Sequence, residues 1–196
     1  ILGNEHVSTI ASTGNLGVTL ISLGKLDEAE PLIAEALAGN RRLLGNEHAK
    51  TLIMMANQAY LLEELGRGDE AEALYRETID LRRRATGGRD PETWAPMNNL
   101  ATLYQRRGKL QEADALFSEL LELCGKSLPP DHPYAAIFTN NYADCLTDQG
   151  RFDEAERMLL ASQQTLEAKF GKDHARSVKG RARLIRLYEA NGHPER

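Results

Sequence analysis

The side chains of this chain that could do chemistry are five histidines, two cysteines and several paired carboxylates. His6, His48, His132 and His174 invite a metal or acid–base reading. Cys124 and Cys145 invite a nucleophilic or redox one. Spacing argues against both. The four histidines fall at one linker position in different repeating units, which stand roughly 10 Å or more apart. Metal ligands must converge within about 2 Å of one ion. His193 stands apart from the others, near the end of the sequence. Neither cysteine has an obvious local base, and two cysteines make a disulfide framework unsuited to this chain. No phosphate-binding GxxxxGK[ST] loop, HExxH zinc helix or GxSxG nucleophile elbow occurs. The sequence therefore assigns no catalytic residue, no metal ligand and no cofactor.

The elements that position these residues explain their spacing. Leu2-Gly3-Asn4-Glu5-His6 returns as Leu44-Gly45-Asn46-Glu47-His48, a shift of 42. The same step then reaches Asp90-Pro91, His132-Pro133 and His174-Ala175. Glycine recurs in the same register at Gly24, Gly66, Gly108, Gly150 and Gly192, and alanine at Ala29, Ala71, Ala113 and Ala155. A sequence that repeats at a fixed interval builds one supersecondary unit many times. After each His/Pro landmark comes an apolar pattern of helical period, as in Trp94, Met97, Leu100, Ala101 and Tyr104, predicting a helix over 93–107. The recurring glycine ends it, because glycine adopts the left-handed C-terminal conformation without a Cβ clash.

A second helix follows, opening on acids (Asp27-Glu28, Asp69-Glu70, Glu112, Asp153-Glu154) and closing on bases (Arg41-Arg42, Arg82-Arg83-Arg84, Lys126). Both suit the helix dipole, so the acid pairs mark helix starts. Pro31 is expected in a first turn, where its missing N–H costs little. Pro96 is expected inside a first helix, where it would remove a backbone bond and bend the chain. Gly68 stands where Leu26, Leu110 and Phe152 open the other second helices, which predicts a looser second pair. Small residues at one position of the first helix (Gly17, Ala59, Ala101, Ala143) and one of the second let paired helices approach closely. Larger neighbours such as Ile33, Tyr75, Phe117 and Leu159 fill the gaps. Cys124 and Cys145 are expected as core thiols too far apart to bridge.

The run Asn-Leu-Ala-x-x-Tyr-x-x-x-Gly-Lys-x-x-Glu-Ala, Asn99 to Ala113, resembles a tetratricopeptide repeat. The 42-residue period and the Gly-x-x-His-Pro linker resemble the long repeat of kinesin light chains, over essentially the whole chain. The resemblance implies an all-α, right-handed α-solenoid of antiparallel helix pairs. It has four full repeats (about 3–44, 45–86, 87–128 and 129–170) and one extra helix in a partial repeat, 171–196. These form a single array, 1–196. The chain starts inside a motif (Ile1-Leu2-Gly3-Asn4), so a fragment of a longer protein is expected.

The resemblance also implies that first helices line a concave groove. One repeat position there holds Asn15, Asn57, Asn99 and Asn141, and becomes Arg183. An amide offers a donor and an acceptor, so this ladder suits either the backbone of an extended peptide or the bonds between neighbouring helices. Both readings stand. Flanking positions would select side chains: Asn98 and Asn140 one residue back, Tyr60, Thr102, Asp144 and Arg186 three residues on, Arg106 and Asp148 one turn later. The groove reads as apolar in the first two repeats and polar or charged in the rest.

Composition bounds the function. A net charge of −5 disfavours nucleic acid. No run approaches the roughly 18–20 apolar residues of a membrane span, and no signal peptide is evident. The expected partner is a protein or peptide, the expected place the cytoplasm, and the expected state a monomer or weak self-associate. The alternative is a structural module that stacks through its incomplete last repeat.

Overall fold

A computed structural model describes residues 6–86, 91–129 and 131–193. The chain divides into two compact units, Ile1–Leu100 and Ala101–Arg196. The first contains α1 (Val7–Ser22), α2 (Leu26–Leu44), α3 (Ala49–Glu64), α4 (Gly68–Thr86), a 3₁₀ turn (Pro91–Thr93) and the start of α5 (Trp94–Arg106). The second contains the rest of α5, then α6 (Leu110–Ser127), α7 (Pro133–Asp148), α8 (Phe152–Phe170) and α9 (Ala175–Ala190). In the first unit each helix from α1 to α4 packs on the next. In the second, α6 packs on α7, α7 on α8, α8 on α9, and α7 also touches α9. No strand occurs among the described residues. The landmark residues Leu2 to Glu5 and Asp90 lie outside them, as does Arg196.

The small-residue register does what its spacing requires. Ala29, Ala71, Ala113 and Ala155 are fully buried, as are Ala59, Ala101 and Ala143. At Gly17 a Cβ would sit 2.7 Å from Cδ1 of Ile33. The two helices of that pair therefore meet where only hydrogen fits. Beside these contacts Ile33, Tyr75, Phe117 and Leu159 are fully buried, while Leu32, Leu74, Leu116 and Met158 are half-buried.

The recurring glycines have φ between +72° and +77°. In each the chain closes a six-residue loop of the Schellman kind. The N–H of Lys25 donates to the carbonyl of Leu20 at 2.9 Å, and that of Arg151 to Leu146 at 2.9 Å. The histidine landmark is an N-cap. Nδ1 of His6, His48, His132 and His174 accepts from the backbone N–H two residues on, at 3.1–3.2 Å. Each ring thereby satisfies one of the orphan donors of a first helix.

Three local readings change. Pro31 is the sixth residue of α2 and lies inside the helix, not in its first turn, so the carbonyl of Asp27 loses its i+4 donor. Pro96 is the third residue of α5, because the 3₁₀ turn ahead of it delays the α-helix. Its missing N–H is one the first turn leaves unpaired in any case, so no interior bond is lost. Arg82, expected with Arg83 and Arg84 at the end of α4, lies ahead of its last turn. It is 3% exposed, and its guanidinium pairs with Glu92 at 2.8 Å. Arg83 and Arg84 do occupy the last turn of α4. Gly68 opens α4 at the same repeat position as Leu26 opens α2.

Candidate functional site

The second unit contains a concave groove of about 410 Å³. One stripe from each of three helices lines it: Thr102, Gln105 and Arg106 of α5, Asp144 and Asp148 of α7, and Lys179, Ala182, Arg183 and Arg186 of α9. Steps of three and four along a helix put these residues on one face. Thr102, Asp144 and Arg186 are the same repeat position 42 residues apart, so the repeat itself sets three side chains in a row. A smaller recess of about 200 Å³ adjoins the groove. Ile137 and Leu166 give it an apolar wall, Asn140 and Asn141 bring amides, and Arg176, Lys179 and Arg183 bring charge.

Charge is distributed unevenly here. Five cations face the groove and recess against two carboxylates, on a chain whose net charge is −5. Arg186 holds both acids, with Nη1 donating to Asp144 at 2.5 Å and Nη2 to Asp148. Gln105 Nε2 donates to Asp148 at 2.6 Å and to Asp144 at 3.3 Å. Nε of Arg183 lies 3.6 Å from Asp144, and its Nη1 donates to Oδ1 of Asn140. Partial burial opposes the Arg186 charge, but the bonds to Asp148 and Asp144 outweigh it and raise the pKa. Burial holds the Arg183 guanidinium below its usual value; Asp144 counters the fall and Arg186 adds to it.

Lys179 differs from its neighbours. Its ammonium makes no hydrogen bond or ion pair among the described residues. Partial burial lowers its pKa, the positive charges of Arg183 and Arg106 lower it further, and Asp144 offsets them in part. The groove thus holds a cation whose charge its own carboxylates offset only in part.

The residues singled out from the sequence fall into two groups. Thr102, Arg106, Asn140, Asn141, Asp144, Asp148, Arg183 and Arg186 come together in this groove and its recess. Asn15, Asn57, Tyr60, Asn98 and Asn99 belong to the first unit. There Asn15 and Tyr60 are exposed, Asn57 is half-buried, Asn98 donates to Asn99 at 3.2 Å, and Asn99 hydrogen-bonds the hydroxyl of Tyr75 on α4. Asn140 is 2% exposed and both ends of its amide are engaged, by Arg183 and by Ser162 at 3.2 Å.

Sequence reasoning missed Lys179, Arg176 and Gln105 as site residues. Lys179 sits one turn before the asparagine ladder, where the other repeats carry Ala11, Ile53, Ala95 and Ile137. That apolar character hid the position, although the four-residue step to Arg183 was there to be read.

The model of the tetratricopeptide repeat family matches residues 6–84, 50–126 and 92–168, which together cover most of the chain. The chain is a tetratricopeptide repeat protein. Its repeats are of the kinesin-light-chain-like type, as the solved structures show. A putative kinesin light chain with nearly identical TPR-like repeats from Podosopora anserina is 25% identical, with TM-score 0.77 over 97% of this chain and 90% of that one. A second structure of that putative kinesin light chain is 22% identical, with TM-score 0.79 over 100% and 91%. BtubC (BKLC) from P. vanneervenii is 20% identical, with TM-score 0.79 over 96% and 75%. No curated protein sequence matches the chain. A tetratricopeptide array is in general a protein-interaction or scaffold module. Among the described residues, no group of three or more His, Cys, Asp or Glu side chains is placed to hold a metal ion, and no helix is long and apolar enough to cross a membrane.

Proposed function

We propose that this tetratricopeptide protein binds an extended, carboxylate-bearing peptide segment of a partner protein along the α5, α7 and α9 face of its second unit. The observation that carries this reading is the ammonium of Lys179, which makes no ion pair among the described residues and only partly feels Asp144, and which lines with Arg183 a recess walled by Ile137 and Leu166. A carboxylate placed there restores the pKa of Lys179 and gains a charge-assisted hydrogen bond. The amide of Asn141 offers both a donor and an acceptor to the backbone of such a segment, and the apolar wall accepts an aliphatic side chain. In this reading the asparagine ladder and the last-repeat arginine serve one ligand.

Titration with a fluorescent, end-blocked peptide of about nine residues, glutamate alternating with alanine, tests this. The matched glutamine peptide is the control. The glutamate peptide should bind more tightly. Its advantage should shrink several-fold between about 0.05 and 0.5 M salt, as exposed charges are screened. Lys179→Gln should weaken it by roughly tenfold, the scale of one charged hydrogen bond. Equal affinity for the two peptides would end the proposal.

A further inference from the structure

The same groove contains its own anions, and their placement sets what it can accept. Arg186 is spanned by Asp144 and Asp148, both of which also receive the amide of Gln105. Arg183 is shared between Asp144 and Asn140. The side chains of Asp144 and Asp148 are only 20% and 25% exposed. Both carboxylates are thus largely covered and held by Arg186 and Gln105. We propose that Asp144 and Asp148 are the specificity-determining residues of the groove: they occupy Arg186 and part of Arg183, leave Lys179 as the docking point, and so deny a segment with a run of acidic or phosphorylated residues any advantage over one with a single carboxylate at that point.

The physical basis is competition at short range. Lys179 stands one turn before Arg183 on α9 and also lines the recess, whose wall includes no acid, so that Asp144 alone of the two acids acts on its charge. A second or third carboxylate extending along α9 must approach Arg186, which is already paired, and then faces Asp144 and Asp148 themselves. Like charges a few ångströms apart repel strongly in a partly desolvated groove. Extra negative charge on the ligand thus gains little.

This inference rests on the carboxylate-binding reading above, and the experiment separates the two. Two end-blocked peptides of about nine residues are compared, one with a single central glutamate and one with four glutamates, against wild type and the Asp144→Asn/Asp148→Asn variant. For wild type, the three added acids should change the affinity by less than about threefold. In the double variant the four-glutamate peptide should bind more than tenfold more tightly than to wild type, a gain several-fold larger than that of the single-glutamate peptide. Asp148→Asn alone leaves the Asp144–Arg186 pair intact. It should give a smaller gain in the same direction, so the inference stays testable if the double variant folds poorly. A four-glutamate affinity unchanged by either substitution overturns the specificity role, even where wild type binds glutamate over glutamine. A wild type indifferent to glutamate whose Asn variant gains four-glutamate binding sinks the single-carboxylate reading of Lys179 and keeps the role of the acid pair.

Discussion

Cys124 and Cys145 are 1% and 0% exposed, and both are free thiols. Burial pushes Cys124 up to about 12. Burial, with Asp148 and Asp114 nearby, pushes Cys145 up to about 11. An unfolded thiol ionises near 9. Above that pH the unfolded chain sheds protons that the folded chain keeps, so stability present below pH 9 is lost as pH climbs toward 11 and beyond. Each thiol removes up to roughly 1.4 kcal/mol per pH unit over that window. Urea midpoints should fall between about pH 8 and pH 10.5, and the fall should be shallower in Cys124→Ala/Cys145→Ala. An equal slope in the variant would place the alkaline loss elsewhere. The burial of these thiols was legible from the repeat register alone. The histidine caps were not: the sequence placed His6, His48, His132 and His174 at one linker position but could not show Nδ1 turned onto a helix start. A ring in that role is chosen by χ angles, which no spacing encodes.

Proline shows how far element boundaries follow from pattern. Pro31 was expected at a helix start and Pro96 in a helix interior, and the structure exchanges the two roles. Lys25 precedes the first residue of α2, which puts Pro31 in its second turn. The 3₁₀ turn Pro91–Thr93 shifts α5 forward and brings Pro96 into its first turn. Composition does not decide a boundary of this kind, since a single turn of tighter helix moves it. The energetic consequence follows: Pro31→Ala restores the bond to Asp27 and should stabilise the protein by about 1–3 kcal/mol. Pro96→Ala should change stability by less than about 1 kcal/mol, because no interior bond is regained. Thermal and urea unfolding of the two variants checks this, and a larger gain from Pro96→Ala would contradict the boundaries of both helices. The acid-rich helix starts follow directly from the sequence, because a dipole has one preferred sign at each end. The structure adds to them the pairing of Arg67 with Glu70 and Glu30, and of Arg151 with Glu154 and Asp114.

At the scale of the molecule, the helix pairs and their register were legible because three landmarks return every 42 residues and each has a backbone or packing reason to return. The site was legible only in part. The expected residues from Thr102 onward do gather in the groove of the second unit and its recess, since residues at equivalent repeat positions must line one face. Lys179 escaped because it departs from the repeat. A cation that replaces isoleucine or alanine is visible as a site only once Arg183, Arg106 and Asp144 are placed around it. On our proposal this face holds a carboxylate-bearing segment. Hydrogen exchange of the intact chain, with and without a saturating concentration of the alternating glutamate peptide, tests it most directly. Amides of α7, α9 and the 101–106 end of α5 should exchange more slowly when the peptide is bound, by a margin that Lys179→Gln removes. Protection confined to α6 and α8, or identical exchange with and without the peptide at saturation, would contradict the account.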